Sequence, residues 1–148
     1  MSSMWVGARA LAVIAAAAGA CGAKPGPGEQ LAVVERCRAL VDAAATAQRL
    51  DGAAEPQVAA AAAAMDRLCL SELHEGVVSS DPARRSVVVE IMRRTPALGH
   101  LELLVASLGT PAWGDEERGR VAAALEVLTG QRLGTDAAAW RAWLGRRP

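Results

Sequence analysis

The sequence predicts an all-α fold, and three observations carry that prediction. Alanine fills 34 of the 148 positions, and the remaining bulk is mostly Leu, Val, Arg and Glu. The first and last two of these, like Ala, are strong helix formers. Phe and Tyr are absent and Trp occurs four times, a poor supply for the β-branched and aromatic packing of a sandwich or barrel. Apolar residues then recur at helical spacing between helix-start and helix-stop signals, which divide the chain into about six helices in antiparallel hairpins.

The helices follow in order. Residues 29–50 place Leu31, Val34, Cys37, Leu40, Val41, Ala44 and Ala47 on one side of a first helix, ended by Asp51-Gly52. Pro56 opens a second that runs through Val58, Met65, Leu68, Cys69 and Leu73 to Gly76. Asp81-Pro82 starts a third, to about Arg94; its centre, Val87–Ile91, also reads as a short strand, but the start signal and the length favour a helix. Thr95-Pro96 starts a fourth, ending near Leu108-Gly109. Three acids, Asp115-Glu116-Glu117, suit the positive end of a fifth, which runs to Thr129-Gly130. Thr135 or Asp136 caps a last helix over 137–144.

Ahead of these helices lies a segment of another kind. Residues 1–9 carry one positive charge, Arg9, and residues 10–20 form an eleven-residue apolar run. As a helix that run rises about 16 Å, half of what a bilayer core requires, and it matches the apolar region of a secretion signal. The stretch Ala18-Gly19-Ala20-Cys21 resembles the lipobox of bacterial lipoproteins, although that family prefers Leu where this chain has Ala18. The resemblance implies removal of residues 1–20, lipidation of Cys21 and palmitate-type acylation. With Gly22 rather than Asp after the cysteine, it implies an outer-membrane anchor facing the periplasm. Ordinary signal cleavage at the same bond is the competing reading, leaving a soluble periplasmic protein. Residues 21–28 have the composition of a flexible tether, and residues 29–148 form a single helical domain.

The region 81–145 contains a weak repeat of 34 residues. It aligns Asp81 with Asp115, Arg84 with Arg118, Val87 with Val121, Ile91 with Leu125 and Thr95 with Thr129. The segment resembles bacterial HEAT-like repeats, in which an Asp-Pro start and a nearby Arg open the inner helix. Ala83 and Glu117 stand where that family has an apolar residue. A solenoid fragment and an irregular helical bundle both remain open, and the resemblance implies a protein-interaction module.

Chemistry is sparse. The 16 basic and 16 acidic residues balance, so no global field recruits nucleic acid. The only histidines are His74 and His100. His74 suits a helix end, and His100 reads as a surface or half-buried residue. No paired metal-ligand spacing, phosphate loop or nucleophile elbow occurs, so neither a cofactor nor a metal site is expected. An enzyme or metal binder using His74 and His100 is the weaker alternative. The main reading is a non-catalytic envelope lipoprotein with a protein partner, and a pilot-like helper of an outer-membrane complex is its variant. Candidate partner contacts are Trp113, in a Pro/Gly loop, with Arg84 and Arg85. Trp140 and Trp143 share a helix face and serve better as core in a chain without Phe or Tyr.

The cysteines give one geometric prediction. Cys37 and Cys69 lie sixteen residues either side of a turn at Ala53, each on an apolar helix face. Antiparallel helices would hold them at equal height, ready to bridge in an oxidising compartment. Two buried reduced thiols packing as small apolar side chains are the alternative that the same pattern permits.

Overall fold

The computed structural model describes residues 24–148, and among them every regular element is helical. The α-helices are α1 (Pro27–Asp51), α2 (Glu55–Ala64), α3 (Leu70–Val77), α4 (Pro82–Arg94), α5 (Leu101–Leu108), α6 (Asp115–Thr129) and α7 (Ala137–Gly145). Short 3-10 turns at Arg67–Cys69 and Pro96–Leu98 complete the set. The all-α expectation holds, and Val87–Ile91 is helical. Residues 1–23, including the signal segment and Cys21, lie outside the described residues.

The core is aliphatic and forms around α4, which packs on α1, α2, α3 and α6. Val87, Val88, Val89, Ile91 and Met92 of α4 are all buried. Small residues let the other helices come close to it. Gly76 of α3 lies directly against Val88, where no larger residue fits. Trp140 fills the far end; its ring is fully buried and its indole N–H donates to the Gly134 carbonyl at 2.8 Å.

The ends follow the local chemistry. Asp81 accepts the Ala83 N–H at 3.0 Å, and Asp136 accepts those of Ala138 and Ala139. Glu29 and Glu117 each reach back to a glycine N–H, of Gly26 and Gly114. Glu29 thus starts α1 at Pro27, two residues inside the expected tether.

Three elements differ from the sequence expectation. The second helix is broken, because Met65 and Asp66 are extended and the Asp66 carboxylate accepts the Leu68 N–H, starting a new turn. The fourth helix begins late: Gly99 takes the left-handed conformation at φ 74°, so Pro96–Leu98 form an isolated turn and α5 starts at Leu101. The apolar side of α1 is buried only from Cys37 onward. At 25 residues α1 outruns the 10-residue α2 and 13-residue α4, and Leu31 is left 60% exposed.

Candidate functional site

The residues singled out as exposed partner contacts are drawn inward. Trp113 is only 4% exposed. Its ring is capped by the Arg85 guanidinium, 5.6 Å from the ring centroid. Arg85 is itself buried, donating to both Glu117 oxygens at 2.7 and 3.0 Å and to the Ser79 carbonyl at 2.8 Å. That guanidinium holds the Glu117 carboxyl below its usual pKa. Trp113 and Arg85 are therefore a structural pair that ties the α5–α6 loop to α4, and neither presents a free surface. Composition cannot reveal this, because a Pro/Gly loop is normally exposed and the partner lies 28 positions away in sequence.

Arg84 joins a second cluster. It pairs with Asp42 of α1 and lies 3.6 Å from Glu72 of α3. Glu72 is fully buried and takes both a 2.6 Å and a 3.2 Å hydrogen bond from Arg38. Beside this cluster Cys37 and Cys69 form a disulfide with Cα atoms 5.7 Å apart, both sulfurs buried. The pairing is the one the hairpin symmetry predicts, although the second helix breaks just before Cys69. The bridge and the Glu72 cluster join α1, α3 and α4 into one unit.

The histidines take opposite positions. His74 is exposed. His100 is 2% exposed rather than at the surface; it stands at the start of α5, with its ring turned to Thr95 and not to the helix N–H groups. The Thr95 hydroxyl donates to the Ile91 carbonyl at 2.9 Å, so its oxygen accepts from His100 Nε2–H, also at 2.9 Å. His100 Nδ1 is then a buried acceptor without a hydrogen-bond partner. Burial, with a smaller contribution from His74, lowers the His100 pKa to about 4. Among the described residues no three His, Cys, Asp or Glu side chains converge as metal ligands.

Among the described residues, a groove beside α4 has the shape of a receiving site. Its larger hollow, about 440 Å³, lies between the end of α1, the start of α2, α4 and α6. A second of about 230 Å³ adjoins it and shares Gln48, Ser86 and Arg120. Ala54, Val58, Val87 and Val89, all buried, make the apolar floor of the larger hollow. Arg120 crosses between α6 and α4, bonding both Glu116 and Ser86. Sequence reasoning missed the groove. Its signal was present, because Ser86 and Arg120 are themselves 34 residues apart, in register with the repeat.

Comparison with protein-family models, curated proteins and solved structures finds no match to this chain.

Proposed function

We propose that this chain is a non-catalytic lipoprotein of the bacterial envelope, anchored through Cys21, whose helical domain docks a protein partner in the periplasm. The carrying observation is the Cys37–Cys69 bridge. It is the chemistry of an oxidising compartment, and it leaves Cys21 as the chain's one cysteine outside the bridge. That residue follows an apolar run of signal-peptide length. A HEAT-like arrangement of α4 and α6 belongs to the same reading. Its support is that the helices pack together and that Thr95 and Thr129, one repeat apart, make the same hydrogen bond, each to the carbonyl four residues back. The helical domain's role in docking is supported by the groove beside α4.

Fractionation of cells expressing wild type and Cys21→Ser tests the anchor. Wild type is expected in the outer-membrane fraction with the mass of acyl chains on a chain starting at Cys21, and Cys21→Ser in the soluble periplasm. Acyl chains supply about 0.8 kcal/mol per buried methylene, so two or more anchor firmly. Retention of Cys21→Ser in the membrane, or an unacylated wild type, overturns the proposal.

A further inference from the structure

Resting on the reading of the domain as a docking module, we infer that the groove beside α4 binds an extended peptide segment of its partner through one neutral aliphatic side chain seated against Ala54, Val58, Val87 and Val89.

The charge state of the groove selects the anchor. Every ionised group on its walls is already matched within the fold. Glu55 and Glu90 both receive Arg94, and Glu90 also receives Arg93. Arg120 is held by Glu116 and Ser86, and Glu117 by Arg85. These guanidinium groups keep the Glu55, Glu90 and Glu117 carboxyls ionised, with pKa values below the ordinary range. A charged anchor would lose its hydration here and find no free counter-charge, whereas an aliphatic one exchanges water for an apolar floor.

The walls select the backbone form. A helix seats its apolar face in a continuous apolar groove, while an extended segment needs partners for its N–H and C=O groups. This groove is apolar only on its floor. The Gln48 amide makes no hydrogen bond to the described residues and offers both a donor and an acceptor, and the Ser86 hydroxyl retains its proton for donation. Both line the two hollows in common, so a strand lying along them passes these groups while its anchor rests on the apolar floor of the larger hollow.

The test pans a random heptapeptide library displayed on phage against the full chain, and titrates selected synthetic peptides into it by fluorescence anisotropy. Enriched peptides should share one aliphatic residue among small or uncharged polar neighbours. Ala123→Trp, which fills the groove from an exposed position on α6, should weaken binding at least about tenfold, or 1.4 kcal/mol. Gln48→Leu should weaken it about three- to tenfold, the net worth of a hydrogen bond or two. Ala60→Trp, exposed on α2 away from the groove, should leave it unchanged. Circular dichroism of each variant separates lost binding from lost folding. The inference is overturned if no peptide enriches, if enriched peptides carry charged anchors or apolar residues at helical spacing, or if folded Ala123→Trp binds as wild type does. None of these outcomes bears on the anchor at Cys21, which fractionation tests alone.

Discussion

Gly76 and Val88 meet so closely that a β-carbon on residue 76 would lie 2.3 Å from Val88 Cγ2. The missing side chain is what allows α3 to pack onto α4. Gly76→Ala should therefore destabilise the fold by about 1–3 kcal/mol, despite alanine's better helix propensity, since Val is stiff in a helix and Val88 is fully buried. Chemical denaturation measures the loss. Val88→Ala in the same chain should recover part of it, and a double-mutant cycle without favourable coupling would locate the strain elsewhere.

The two tryptophans of α7 should differ in weight. Their rings meet edge to face with centroids 5.8 Å apart, but Trp140 is fully buried while Trp143 is half-buried under Arg147. Trp140→Ala should cost about 3–5 kcal/mol, and Trp143→Ala less than half as much. Equal shifts in the denaturation midpoint would contradict this ranking.

The buried disulfide should resist reduction in the folded protein. Thiol exchange needs an attacking thiolate to reach a sulfur, and Cys37 and Cys69 are 1% and 0% exposed. Dithiothreitol should release two thiols from the guanidinium-unfolded chain and none, over the same minutes, from the native one. Replacing both cysteines by serine should lower stability by about 3–4 kcal/mol, the chain-entropy value for a loop closed across 32 positions. Rapid native reduction would show that the sulfurs are accessible.

His100 should make the fold acid-sensitive. Its pKa is about 4 when folded against 6.5 in the unfolded chain, so the unfolded state binds its proton first. The His100 contribution is complete above about pH 6.5 and declines as pH falls towards 4. Urea midpoints across that window should drop more steeply for wild type than for His100→Gln. Parallel curves would assign the acid response to other groups.

How much of this was legible in the sequence differs from residue to residue. Asp81-Pro82, Asp136 and the left-handed glycines 52 and 130 act within a few positions of themselves, so helix ends could be read from the string. The cysteine pairing was legible because a hairpin converts sequence distance from its turn into height. What escaped depends on partners distant in sequence. Trp113 looked like an exposed loop residue until Arg85, 28 positions earlier, closed over it, and Arg84 became structural through Asp42 and Glu72. The breaks at Asp66 and Gly99 escaped for a different reason, because a side-chain cap and a left-handed glycine overrode an apolar period that ran on without interruption.

The loop closed by Cys37 and Cys69 contains the exposed turn Gly52-Ala53 between α1 and α2, the kind of site a protease cuts. A nick there severs the backbone yet liberates nothing, because the bridge still joins α1 to everything beyond residue 69. Separating the bridged helices from the segment that precedes them would take a cut ahead of Cys37. Proteolysis within the loop becomes a silent event, visible only on a reducing gel.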